Sequence, residues 1–395
     1  MMTLLLIVIF ITFIGLGVPD SVLGSAWPAM FKDLSVSVSA QSVLTVLISA
    51  GTVTASVFSA RLINKFGTGL LTCLSTVLSC FCLLAFSLAP SFWYLVLLSF
   101  PLGAGAGAID ASLNNFVAVH YKSTQMNFLH SFYGVGVALS PYLMSFALAD
   151  GNDWRAGYRT VFFIMLAVSV ITILALPLWK KAKKLPTESA KEVPPKNLTI
   201  KQMSKMPAVR IGWVVYFSAT ALEFTCGIWG CTYLVSAEGL SEAFSAKLIT
   251  LYYIGMTLGR LLSGVVSTKF SNLKIVSIGY TIVGGAISIL LLPIPPAYKG
   301  VALLLIGFGN GPTFPNLIYL TPKFFGKENS QAIIGSQLAV CNLGILLIPP
   351  LFGVLAGVLS LKLFPPFVLA LFIFMLLSTI IYIKHAKKEQ KSFNY

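Results

Sequence analysis

The chain has 395 residues, of which 57% are hydrophobic and only 10% charged, and its mean hydropathy is +0.88. Soluble domains carry roughly 25% charged residues, so a water-soluble fold of this size would lack the polar surface to cover itself. The net charge of +15 does not signal nucleic acid, because Lys and Arg sit in short loops and one central linker, with no basic stripe interleaved with aromatics.

A bilayer-crossing helix needs about 20 apolar residues at 1.5 Å each. Twelve stretches meet that length: 3–30, 40–63, 69–89, 92–119, 126–149, 158–179, 210–236, 245–267, 274–293, 299–320, 330–357 and 362–383. The run Met2–Gly17 resembles a signal-peptide core but has no basic start and no small-residue cleavage site, so it reads as an uncleaved first span. Turn signals separate the spans, among them Asn64-Lys65-Phe66-Gly67 and Pro293-Ile294-Pro295-Pro296. All six cysteines (Cys73, Cys80, Cys82, Cys226, Cys231, Cys341) fall inside spans and read as buried thiols.

Placing both termini in the cytoplasm puts 20 Lys and Arg on that side and 6 on the other, with Arg260 inside a span. The positive-inside rule then predicts cytoplasmic termini in a cell (plasma) membrane, with a bacterial inner membrane as the expected setting. The polar break from Lys180 to Met206 predicts a linker between six-helix halves, giving units 1–179, 180–209 and 210–395. Asn197-Leu198-Thr199 matches a glycosylation sequon, but its cytoplasmic placement makes it a chance match.

The halves repeat. Lys65-Phe66 recurs as Lys269-Phe270, and Gly103-x-Gly105-x-Gly107 as Gly307-x-Gly309-x-Gly311, both at an offset of 204 (269 − 65 and 307 − 103). Parallel six-helix repeats around a central site describe a major facilitator architecture. The expected fold is therefore an all-α membrane protein of twelve transmembrane helices in two pseudo-symmetric six-helix halves.

Only Asp20, Asp110 and Glu223 place carboxylates inside the spans. A charged group there costs roughly 2.5–3.5 kcal/mol on insertion scales and persists where it faces a cavity or a partner. In the fourth span Gly103, Gly107, Asp110 and Asn114 share one face. They read either as a ligand-facing acceptor and amide or as a polar pair joining helices. Gly17, Asp20, Gly24 and Trp27 form a stripe on the first span, where Asp20 is a proton site or an acceptor held by a neighbouring helix. The fifth span aligns Asn127, His130 and Gly134, the seventh Glu223, Gly227 and Gly230 beside Trp229, and the eleventh Gln337, Cys341 and Gly344. Glu223 has two readings, a cavity group opposite Asp20 or the fixed partner of Arg260. Asn, Gln, His and carboxylates match sugar hydroxyls, which donate and accept at once, and Trp27 and Trp229 could pack on a sugar's apolar face.

Arg61-x-x-Asn64-Lys65-Phe66-Gly67 and Gly259-Arg260-x-x-x-Gly264 resemble degraded forms of the major facilitator loop signature, with Asn64 in place of its acidic residue. Gly15-x-Gly17-x-Pro19-Asp20-Ser21, the segment Gly103–Asn115, Met126–Gly134, Trp154-Arg155-x-Gly157-Tyr158 and Glu223-x-x-x-Gly227-x-Trp229 resemble the sugar–proton symporter branch that includes fucose and glucose permeases. The resemblance implies carboxylates on the first and fourth helices for proton coupling and sugar recognition, positions that Asp20 and Asp110 match, with Asn114 at a nearby amide. His130 stands where the fucose permease has a glutamine and Asp110 is shorter than its glutamate, which places the chain nearer the glucose-type members.

The expected activity is proton-coupled symport of a hexose by alternating access. Proton coupling falls to Asp20, Asp110 and Glu223. Substrate binding falls to Trp27, Asp110, Asn114, Asn127, His130, Glu223, Trp229 and Gln337, and gating to Arg61, Lys65 and Arg260. Expected partners are a small-molecule substrate of sugar type, protons and the lipid bilayer, the chain acting as a monomer without nucleic acid. The alternatives are a proton-coupled exporter of drugs or other small molecules, and a non-transporting sugar sensor. Against the exporter, Gly134-Val-Gly136-Val-Ala-Leu-Ser140-Pro141 lacks the full Gly-Pro-rich antiporter pattern; against the sensor, all three carboxylates are present. No P-loop, Ser/His/Asp elbow or metal cluster is visible around His120, His130 and His385, so neither an enzyme nor a cofactor is expected.

Overall fold

The computed structural model describes residues 2–121, 123–149, 153–182 and 198–393. Its helices are α1 (Met2–Asp33), α2 (Gln41–Phe66), α3 (Thr68–Ser87), α4 (Phe92–His120), α5 (Ser123–Ala149), α6 (Trp154–Leu174), α7 (Leu176–Ala182), α8 (Ile200–Met203), α9 (Pro207–Ser236), α10 (Glu242–Val266), α11 (Asn272–Leu291), α12 (Lys299–Asn310), α13 (Thr313–Phe325), α14 (Lys327–Val358) and α15 (Phe364–Phe393). Among the described residues there are twelve candidate membrane spans, α12 and α13 together forming one of them. Large apolar side chains such as Phe81, Trp93, Leu97 and Phe163 stand exposed on the outside, the surface a lipid-facing helix presents. Half of the expected linker, residues 183–197 with Asn197 among them, lies outside the described residues.

Local chemistry explains where the boundaries differ from the sequence reading. The sixth span starts at Trp154 rather than 158, because the Asp153 side chain accepts the Arg155 N–H and caps the helix. The tenth span, read as one helix over 299–320, is interrupted at Gly311-Pro312 between α12 and α13, where proline removes a backbone donor. The last helix runs on to Phe393, well past 383. Its extension brings Glu389 to the start of α9, where the carboxylate accepts the Ala208 N–H at 3.2 Å and complements that helix terminus.

The duplication is written into the packing. A Cβ on Gly103 would run into the Ile48 carbonyl and one on Gly107 into that of Thr52, while Gly51 is pressed against the Phe100 carbonyl. In the second half Gly307 meets the Tyr252 carbonyl, Gly311 that of Met256 and Gly255 that of Leu304. Every one of these six glycines and six partners is paired at 204 residues (252 − 48, 256 − 52, 304 − 100). Thus α2 locks into α4 as α10 locks into α12, by backbone-to-backbone contact that only glycine permits. We expect Gly103→Val to force α2 from α4 and to cost about 1–3 kcal/mol, the usual penalty of overpacking. The check is the unfolding midpoint in detergent, and an unchanged midpoint would show that the interface yields freely.

Within the first half α1 packs on α5, α2 on α4, and α3 on α4 and α6; in the second, α9 packs on α14 and α15, and α12 on α10 and α11. The halves meet through α5 with α10, α2 with α14, and α1 with α9. On the face away from the linker they close tightly. Lys32 donates to Glu242 at 2.6 Å, Gln41 to the Ile228 carbonyl at 3.3 Å, and Ser42 to the Pro350 carbonyl at 3.1 Å. Gly24 lies against the backbone of Gly227 and Ile228. Towards the linker side the helices splay and leave a cavity.

The Lys32–Glu242 pair ties α1 to α10 with its carboxylate buried (8% exposed) and its ammonium half in solvent (54%). Glu242→Gln should weaken this closure and raise the fraction of molecules open on that face. Thiol labelling of a cysteine introduced at Ser39 would report it, and labelling no faster than in the parent would exclude a latch role for the pair.

Candidate functional site

The cavity has a volume of about 1190 Å³ and is walled by α1, α2, α4 and α5 from one half and α9, α10, α13 and α14 from the other. Its mouth includes Ser267, Asn272 and Lys323, at the end of α10, the start of α11 and the last turn of α13. With an even number of spans on either side of it, that mouth opens on the face shared by the linker and both termini. The walls are mostly apolar, with Phe13, Phe128, Phe224, Phe314 and Tyr319 among them.

All three intramembrane carboxylates reach the cavity. Asp20 accepts a hydrogen bond from the Tyr133 hydroxyl at 2.7 Å, linking α1 to α5. Asp110 accepts from the Asn114 amide at 2.8 Å, and the same amide donates to the Asp110 carbonyl at 3.0 Å. Glu223 accepts from the Arg260 guanidinium at 2.8 Å across α9 and α10, and its backbone carbonyl accepts from Tyr252. His130 also lines the wall, edge-on to Phe13 at 6.0 Å between ring centroids. The two readings of Glu223 merge: it faces the cavity and is paired with Arg260 while doing so.

Other expected ligand groups are elsewhere. Trp27 and Trp229 are both 0% exposed and lie beyond the cavity floor in the closed end. Their indole N–H groups donate to the Val38 and Pro349 carbonyls, each at 2.8 Å. A sugar-stacking role is therefore not what this arrangement gives them; they seal the floor. Asn114 does not line the cavity but stands behind Asp110. Gln337 is fully buried, its carbonyl oxygen accepting from Thr321 at 3.3 Å. Asn127 lies in α5, with its side chain outside the described residues. Arg61 and Lys65 are exposed at the end of α2, over the rings of Phe58 and Phe66, and neither borders the cavity. Arg260, read as a gating cation, instead belongs to the cavity wall.

The sequence reading passed over Tyr133, Phe224, Phe314 and Asn342, all on the wall. The repeat offset could have found two of them. Asp20 corresponds to Phe224 (224 − 20) and Asp110 to Phe314 (314 − 110), both at 204, and all four line the cavity. A symmetric frame thus carries an asymmetric lining, with Asp20 and Asp110 on one half facing aromatic rings at their matching positions on the other, which contributes Glu223 at a different position.

The profile described as Major Facilitator Superfamily matches residues 5–349 and 239–394. The chain is 24% identical over 353 residues to a Bacillus subtilis protein named "Uncharacterized MFS-type transporter YfkL", covering 88% of this chain and 87% of that one. It is 25% identical over 392 residues to "Bypass of stop codon protein 6" of Saccharomyces cerevisiae, covering 90% and 77%. A shorter match, 21% over 194 residues, covers 48% of this chain and 47% of the "Glucose/mannose transporter GlcP" of Bacillus subtilis. Among solved structures, a bacterial homologue of the human lysosomal transporter Spinster, in an inward-facing and unoccupied conformation, superposes with a TM-score of 0.73 at 13% identity over 98% and 97% of the two chains. The nucleoside transporter NupG superposes with a TM-score of 0.68 at 12% identity, covering 96% and 98%. At these identities the structural likeness concerns the fold.

Proposed function

Because the chain belongs to the major facilitator superfamily of transporters, not to an enzyme family, we propose that it is a proton-coupled symporter of a hexose-like solute. The observation that carries this is the pairing of carboxylates with aromatic rings across the cavity, Asp20 and Asp110 opposite Phe224 and Phe314. A sugar has a hydroxyl edge that hydrogen-bonds to carboxylates and C–H faces that pack on rings. Phe224 and Phe314 take the stacking role in this reading, and Asp110, His130 and Glu223 the polar one.

The 20-to-6 distribution of Lys and Arg supports cytoplasmic termini, so the cavity opens inward and the Lys32–Glu242 end is the outer closure. The chain would divide into rocking halves over 1–179 and 210–395. The match to a glucose/mannose transporter, though it covers only half of each chain, supports the sugar class. A second reading is favoured by size: about 1190 Å³ exceeds the roughly 300–1,000 Å³ of drug-sized sites, which suits a larger amphiphile.

Uptake of labelled hexoses, nucleosides and cationic amphiphiles into proteoliposomes under an imposed pH gradient separates the two. Accumulation of a hexose that collapses with the gradient is the expected result. Gradient-driven movement of the amphiphiles alone would replace the sugar reading with the exporter.

A further inference from the structure

Below the main cavity, towards the closed end, lies a chamber of about 20 Å³ bounded by Asp20, Tyr133, Val137, Glu223, Tyr253 and Met256. A space of roughly 10–15 Å³ in this measure admits one water molecule, provided polar groups surround it. The chamber lies between the halves, with Asp20 and Tyr133 on one side and Glu223 and Tyr253 on the other.

Three groups there have hydrogen-bonding capacity to spare. Tyr133 engages one oxygen of Asp20 and Arg260 one oxygen of Glu223, which leaves each carboxylate a second acceptor oxygen. The third is Tyr253. It is 8% exposed, lines the chamber, and its hydroxyl makes no hydrogen bond to any described residue. The hydroxyl sits directly over Gly227, where any Cβ would displace it. A buried phenol usually finds a partner, and the chamber is where this one can find it.

We infer that the chamber is a water site, and that a single water held by Tyr253 joins Asp20 to Glu223 as a proton bridge between the two halves. This rests on the proton-coupling reading above. In the transfer, the Asp20 carboxyl gives its proton to the water oxygen while the water passes one of its own to Glu223. Asp20 ends as a carboxylate, Glu223 as a neutral acid, and the water is regenerated. Neutral Glu223 holds Arg260 less strongly, so the guanidinium becomes available to a ligand in the cavity. The ionisable groups around the bridge are Asp110 from α4, His130 and Tyr133 from α5, Cys226 and Cys231 from α9, and Tyr252 and Arg260 from α10. Of these, Arg260 is the fixed cation: it holds Glu223 as a carboxylate at rest, so the shared proton resides on Asp20 and its passage to Glu223 has to work against the pair.

The test uses the full-length protein in liposomes. Infrared difference spectra across a pH step should contain a bound-water band that shifts in heavy-oxygen water and is absent in Tyr253→Phe. The same variant should bind substrate with unchanged affinity but lose at least tenfold in pH-driven uptake. If Tyr253→Phe fails to fold, Gly227→Ala displaces the same hydroxyl and should also remove the band. No such band in the wild type, or a band that survives both variants, overturns the bridge. If the band behaves as expected while the wild type shows no pH-driven uptake, the water site stands and the symport reading falls.

Discussion

Asp20→Asn should abolish accumulation driven by a pH gradient while leaving counterflow exchange of substrate measurable. The amide keeps the shape of the carboxyl and can still meet the Tyr133 hydroxyl, which now sits 2.7 Å from Asp20, so packing between α1 and α5 should survive. What the amide cannot do is gain and lose a proton. An exchanger that never releases its coupling proton still swaps labelled for unlabelled substrate, since both half-cycles run with the carrier in the neutral form. It cannot concentrate substrate, because nothing ties the return of the empty carrier to proton release. The expected loss is the whole of the uphill component, read as steady-state accumulation falling to the equilibrium level. A mutant that still concentrates substrate against its gradient would reduce Asp20 to a structural acceptor for Tyr133.

The twelve spans were legible because a bilayer demands long apolar runs, and a chain this hydrophobic has few other ways to bury its backbone. The repeat was legible too, since the glycines that set the offset of 204 are the ones on which α2 meets α4 and α10 meets α12. Depth along a helix was not legible. The stripe Gly17, Asp20, Gly24 and Trp27 does share a face, but periodicity says nothing about where a cavity ends. Here it ends at Gly24, where the backbone of Gly227 closes in, and Trp27 falls two helical turns below Asp20 in the sealed region. Trp229 is displaced from Glu223 for the same reason. Partners across helices were equally hidden. Tyr133 is one turn from His130 on α5, yet only the fold brings its hydroxyl to Asp20. Gln337 lies on a shared face with Cys341 but turns to Thr321 rather than to the cavity.

The pair Glu223–Arg260 should respond unequally to loss of its two members. Both side chains are mostly buried, at 14% and 19% exposure, with 2.8 Å between nitrogen and oxygen. Glu223→Gln leaves a guanidinium among apolar walls, and a guanidinium cannot give up its proton. Arg260→Gln leaves a carboxylate, which can be neutralised by taking one. Removing one partner of a buried pair costs about 3–5 kcal/mol in soluble proteins. We place Glu223→Gln at about 3 kcal/mol, the low end of that range, because the cavity gives the orphaned cation some access to water, and Arg260→Gln below it. The double variant, neutral at both positions, should recover most of the stability lost in Glu223→Gln, yet remain unable to drive uphill uptake if the pair also serves the cavity. Unfolding midpoints in detergent measure the first part and proteoliposome uptake the second. Additive losses in the double variant would show that the two groups do not hold each other. Full stability together with normal uptake would confine the pair to holding α9 against α10, with no part in transport.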